Sequence, residues 1–380
     1  MSSAQPAAGS AGGPLVPGAP LEPLAPLDRE TRALVSRGWE VRLAERPGYI
    51  GFDSLRRTRA VSVTGAVCGS GCAHCGGRYL ERMLGPAEAR RLAASPGEVR
   101  SWLVSGGCGP DGTVPLLDHE LLLESLGRAG RLNLHTGLVR TPNEARALAR
   151  WAGAVSLDFT VDGEAIASVY GFRGVRARDF VRAYELLAAE TVVMPHVLIG
   201  LAGGRVRSEV EALRTLARMG APGVVLLVLI PTPGTRFGTL PPPPLGDAVR
   251  VMAEARLLFP DRPVHLGCMR PKGSYREALD RLAVRAGVDR IAVPTPRAVR
   301  DAAGLGFEPV WSEECCVFPL PGAVSGTRPP AEGRDARPPA VEPDARPPAV
   351  EPDARPPAVE PEARPPAVEP EARPPEGARE

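Results

Sequence analysis

Three cysteines, Cys68, Cys72 and Cys75, stand in C-x3-C-x2-C spacing on a Gly-rich run just after the β-branched segment Val61–Thr64. Three thiolates on one tight loop can hold three irons of a [4Fe–4S] cluster and leave the fourth iron open to a small molecule. A structural zinc site would want a fourth ligand, usually from a second knuckle. No second knuckle follows at finger spacing, and His74, lying between two of the cysteines, is expected to strain the loop if it ligates. A disulfide framework expects an even cysteine set in a short secreted chain. Here there are seven cysteines in 380 residues and no basic leader followed by an apolar stretch.

The other four cysteines are Cys108, Cys268, Cys315 and Cys316. A lone cysteine is most often a small buried hydrophobe. Cys108 and Cys268 nevertheless fall where strands are expected to end, and the Cys315-Cys316 pair follows the last repeating element. Three or four of these thiolates could converge to hold an auxiliary Fe–S cluster. Ser105-Gly106-Gly107 ends an expected strand, where glycines allow a ligand to approach the backbone or simply make a tight turn. Asp158 also ends a strand, where a carboxylate can accept hydrogen bonds from ribose hydroxyls or act as a cap. His135 and His196 lie near strand ends as ligands, substrate contacts or core histidines.

These residues need a scaffold. Short apolar runs alternate with Ala/Leu/Arg/Glu-rich segments of helical period from Val61 to about Ala303. Eight strands are expected, at Val61–Thr64, Trp102–Ser105, Leu132–His135, Val155–Phe159, Val192–Ile199, Val224–Ile230, Val264–Leu266 and Ile291–Val293. Seven helices lie between them, with Pro86 and Pro142 in first turns, Asp118 and Ser208 as caps, and Gly220 and Gly287 at helix ends. This alternation predicts an α/β fold, a (β/α)8 TIM-like barrel whose chemistry sits beyond the C-terminal ends of its strands.

Both ends read differently. Residues 1–27 are Ala-, Gly- and Pro-rich with no charge before Glu22, and are expected to be disordered. Residues 28–60 form a lead-in, and residues 61–320 the barrel with its Cys-Cys segment. From 321 to 380 a nine-residue repeat, Asp-Ala-Arg-Pro-Pro-Ala-Val-Glu-Pro, predicts a disordered, polyproline-like spacer. The net charge of +2 gives no nucleic-acid footprint. The longest apolar run, Val224 to Ile230, is far short of the roughly 20 residues that cross a bilayer, so no membrane contact is expected. Free thiols and an oxygen-sensitive cluster fit the cytoplasm.

The triad, its preceding strand and its following glycines resemble the signature of the radical S-adenosylmethionine (SAM) superfamily, with His74 where an aromatic residue is usual. Residues 105–116, 134–139, 195–201, 229–235 and 266–271 extend the resemblance to the biotin-synthase-related branch over about Gly51 to Cys316. Within that branch the chain is most similar to one subunit of the two-protein, archaeal-type lipoyl synthase. The resemblance implies that the triad cluster cleaves SAM to a 5′-deoxyadenosyl radical, and that sulfur is then inserted into an unactivated C–H bond. It implies SAM contacts at Ser105, Gly106, Gly107, Asp158, Gly200, Glu209 and Ile230. Cys108 stands where the superfamily has a glutamate. A companion radical SAM subunit, an octanoylated carrier protein and a ferredoxin- or flavodoxin-type electron donor are the implied partners. A different radical SAM reaction, or a non-catalytic iron–sulfur or zinc scaffold, are the alternatives.

Overall fold

The computed structural model describes residues 27–95, 97 and 99–321. The expected terminal segments 1–27 and 321–380 lie outside the described residues, Leu27 and Pro321 excepted.

Ten strands form one sheet: β1 Tyr49–Asp53, β2 Thr58–Ser62, β3 Ser101–Ser105, β4 Arg131–His135, β5 Ala154–Asp158, β6 Val193–Ile199, β7 Val224–Val228, β8 Val264–Leu266, β9 Arg290–Ala292 and β10 Glu308–Ser312. Every pairing is parallel. From β2 to β9 the strands lie side by side in chain order; β1 then pairs with β9, and β10 lies outside β1. The eight expected strands are all present, and the sheet is a TIM-like α/β barrel left open between β2 and β10. The lead-in is more than a connection: it supplies the helix Arg29–Glu45 and the whole of β1.

Parallel strands covered by helices are buried on their outer face, which explains their unbroken apolar runs. Val61, Trp102, Val104, Leu134, Val155 and Leu226 are sealed beneath the helices. Pro86 and Pro142 open their helices as expected, since the first turn needs no N–H there. Asp118 does not cap. It lies within a 3-10 turn, Leu116–His119, and the helix that follows starts at Glu120 without a side-chain cap. Ser208 does stand at a helix N-cap, but its hydroxyl donates to Asp162 at 3.2 Å instead of capping.

The inner face is filled from below. After β10 the chain passes under the N-terminal ends of the strands, and Cys315, Cys316, Val317 and Phe318 pack against Ala154, Met194, Val225 and Ala292. Phe318 sits against Gly153, just before β5, with the guanidinium of Arg131 4.3 Å from its ring centroid. Arg290 on β9 donates through Nε to Asp53 Oδ1 at 2.8 Å and also bonds the Phe318 carbonyl, tying the plug to β1. Burial pushes the Asp53 carboxyl up to about 6 despite this pairing.

Candidate metal and cofactor site

The cysteine loop leaves β2 at the C-terminal mouth of the barrel. Gly71, Gly76 and Gly77 hold positive φ values of 61°, 53° and 80°, which let the chain fold back on itself between the thiols. The sulfurs of Cys68 and Cys72 flank one hydroxyl, Ser70 Oγ, at 3.3 and 3.2 Å. The sulfurs of Cys72 and Cys75 and one ring nitrogen of His74 lie within 4.8 Å of one another; Cys68 is not in that group. His74 thus has one nitrogen near both sulfurs. Its ring stands edge-on to Tyr170, with centroids 5.7 Å apart. A hydrogen bond from Cys72, aided by His74 and working against burial, draws the Cys75 thiol down to about 4. Cys72 is correspondingly pushed up by its hydrogen bond to Cys75 and by burial.

Three neighbouring loops clamp this one. From the end of β3, Gly107 N donates to Thr64 Oγ1 at 2.7 Å, and Gly69 N donates to the Cys108 carbonyl at 2.9 Å. A Cβ on Gly107 would fall 2.0 Å from the Val67 carbonyl oxygen and 2.6 Å from Cys68 Cα. The neighbour that demands glycine at 107 is thus the cysteine loop itself. Beyond β5, a π-helical turn, Ile166–Tyr170, accepts from Ala73 N at the Val169 carbonyl (2.7 Å) and from Cys72 Sγ at the Tyr170 carbonyl (3.6 Å). Such turns recur at functional sites because they re-aim backbone carbonyls. Beyond β7, Phe237 N donates to the Ala73 carbonyl at 3.0 Å, and Tyr79 and Thr232 share a hydroxyl bond of 2.9 Å.

Beneath the loop lies the open interior of the barrel. Asp158, the last residue of β5, stands 3.4 Å from His135 Nε2 on β4; their side chains keep 44% and 29% of their surface accessible although both lie inside the ring of strands. Burial acts to raise the Asp158 carboxyl, but His135 overrides it and holds it at about 2. His135 is raised in turn, Asp158 outweighing burial. Burial, with His135 alongside, lowers His196 to about 4, and its Nδ1 lies 2.9 Å from the Met194 carbonyl. The interior thus sets a carboxylate against one imidazole with a second imidazole beside them. Below them, Ser156 Oγ donates to Asn133 Oδ1 at 2.8 Å, and Asn133 Nδ2 donates to Cys315 Sγ at 3.4 Å.

The remaining expected contacts divide by role. Ser105 Oγ donates to the His135 carbonyl at 3.1 Å, and Gly106 packs against Val63. Glu209 is buried, and its two oxygens accept from Gly200 N (2.8 Å) and Arg207 N (2.7 Å), so its carboxylate fixes the turn after β6. Gly200, at φ 85°, has Pro243 where a side chain would go. The Ile230 carbonyl accepts from Thr232 Oγ1 at 3.0 Å.

The four further cysteines do not meet at one point: no three of their sulfurs come within 4.8 Å. Burial pushes the Cys108 thiol up to about 12, with Cys68 its nearest charged influence, so it belongs beside the triad. Cys268, exposed after β8, is raised by burial and then by Cys315. A hydrogen bond from Cys316, with Asn133 and Val317 N assisting against burial, brings buried Cys315 to about 7. Sequence reasoning missed Ser70, Thr64, Tyr170 and Asn133. Their types carry no signal; only the contacts do.

The fold and site define an open TIM-like α/β barrel with a thiol-rich loop over its C-terminal mouth. Among solved structures the chain is similar to methylornithine synthase (PylB), at 16% identity and TM-score 0.53, covering 73% of this chain and 82% of that one. It is also similar to the FeFe-hydrogenase maturase HydG from Carboxydothermus hydrogenoformans, at 15% identity and TM-score 0.56, covering 75% and 73% of the two chains. At these identities the likeness is one of fold. No protein-family model and no curated protein matches the chain. Among the described residues no helix is long and apolar enough to cross a membrane.

Proposed function

We propose that this chain is a radical SAM enzyme that holds a [4Fe–4S] cluster on Cys68, Cys72 and Cys75. The observation that carries this reading is the placement of the three thiols on one clamped loop directly over the Asp158–His135 interior. The donor set fits the group: cysteine sulfurs are the ligands such clusters use, and three of them stand on one loop. A cluster so bound, together with SAM, supplies one-electron cleavage of SAM and a 5′-deoxyadenosyl radical.

The chain's own residues do the rest. The segments after β3, β5 and β7 fix the loop by hydrogen bonds. Asp158, ionised and accessible, is placed to accept hydrogen bonds from ribose hydroxyls. Ser105 and the Ile230 segment offer polar and backbone groups on either side. Gly200 and Glu209 hold the turn after β6 in shape.

The finer reading is sulfur insertion of the lipoyl synthase type, on an octanoyl chain carried by a protein. It is supported by Cys315, which raises the Cys268 thiol and adjoins Cys316; an auxiliary cluster on these three would need their sulfurs to draw together, since no three of the four further cysteines lie within 4.8 Å. It entails a companion subunit and a ferredoxin- or flavodoxin-type donor. A radical reaction on a polar substrate is favoured by a different observation: Asp158, His135, His196, Asn133 and Ser156 line the space an alkyl chain would occupy. A mononuclear zinc scaffold is favoured by the Cys72–His74–Cys75 group.

Anaerobic reconstitution separates these readings. A brown protein that forms 5′-deoxyadenosine with SAM and dithionite supports the radical SAM assignment; a colourless zinc protein overturns it. About eight irons per chain and a sulfur-bearing product from an octanoylated lysine peptide support sulfur insertion; about four irons sink it.

A further inference from the structure

Position 74 lies between the second and third cysteines of the triad. The side chain there is not merely space-filling. Tyr170 fixes the ring edge-on, and that tyrosine is itself stacked on Phe172 with centroids 5.2 Å apart. One ring nitrogen lies within 4.8 Å of the sulfurs of both Cys72 and Cys75. Nδ1 is buried and has no hydrogen-bond partner. A buried polar nitrogen without a partner is unusual and calls for one. Phenylalanine would fill the same slot against Tyr170 but could donate nothing.

We propose that His74 donates an N–H hydrogen bond to the Cys75 sulfur when the cluster is bound, and so raises the cluster's reduction potential. The inference rests on the reading that the triad holds a [4Fe–4S] cluster. Reduction adds negative charge that spreads onto the ligating sulfurs. A fixed donor at one of them stabilises the reduced state more than the oxidised one. His74 is thus a positioning and tuning residue, set on the face of the loop that looks toward Tyr170.

The test is a redox titration of the anaerobically reconstituted full chain, followed by the EPR signal of the reduced cluster, for wild type, His74→Phe and His74→Gln. All three should hold equal iron. At the potential where the wild type is half reduced, His74→Phe should show a reduced-to-oxidised ratio about tenfold lower, equal to about 59 mV for one electron. His74→Gln, which keeps an N–H donor, should stay close to wild type. Equal midpoints for wild type and His74→Phe overturn the inference while leaving the cluster assignment intact. Iron loss in both variants also overturns it, by making His74 a ligand. A wild-type chain that assembles no cluster overturns the inference and the assignment together.

Discussion

Gly107 and Val67 lie so close that a methyl group on Gly107 would stand 2.0 Å from the Val67 carbonyl oxygen. The glycine at the end of β3 and the loop that carries Cys68 are one packed unit. Gly107→Ala should force the two apart, costing about 1–3 kcal/mol as overpacking does. We expect a lower Tm and a clear drop in iron bound per chain after reconstitution. An alanine variant with wild-type Tm and full iron would show that the loop moves freely.

Replacing Cys68, Cys72 and Cys75 together with alanine should abolish the visible iron–sulfur absorption of the triad. The barrel should persist, because of the three only Cys72 is a buried member of the main core and Cys75 packs only partly against it. Far-UV circular dichroism and iron analysis check both halves. Unchanged absorption would move the cluster elsewhere in the chain.

The Asp158–His135 pair carries a pH dependence whose sign follows from its two shifts. Asp158 is depressed from 3.8 to about 2, so its contribution is present above pH 3.8 and lost as pH falls toward 2. His135 is raised from 6.5, so its contribution is complete below 6.5 and lost as pH rises through its folded value. The pair is therefore strongest between pH 3.8 and 6.5. An NMR titration should find His135 above its ordinary value in wild type and lowered in Asp158→Asn. A His135 that titrates alike in both would dissolve the pair.

Phe318→Ala should cost about 3–5 kcal/mol. The ring is 2% exposed, closes the floor of the barrel and carries the Arg131 guanidinium on its face. Denaturant unfolding measures this as a fall in midpoint at constant slope. A change below about 1 kcal/mol would mean that the floor collapses onto the gap.

Much of this architecture was readable as pattern. Eight strands announced themselves because each is a short, largely apolar run between helical segments. The two others hid for physical reasons. β1 carries Gly51 in its middle, where a side chain would meet Arg290 Cγ at 2.8 Å, so the tertiary packing breaks the apolar run. β10 carries Pro309, tolerated because the strand lies at the sheet edge. The triad was legible from spacing alone. What spacing could not convey is that Gly107 serves the loop, that the Glu209 carboxylate is spent on two backbone N–H groups, and that Cys108 sits apart from Cys268 and Cys315. Each of these depends on contacts between distant segments.

The clamps on the cysteine loop come from Gly107, Val169, Tyr170 and Phe237, all later in the chain than Cys75. During synthesis the thiols therefore emerge well before the surfaces that shape them. A nascent chain offers three loose cysteines, and only the finished barrel offers a socket. On the proposed cluster assignment, iron delivery comes after folding, and a loaded metal would hold back unfolding by mass action, since the opened chain loses the geometry that binds it.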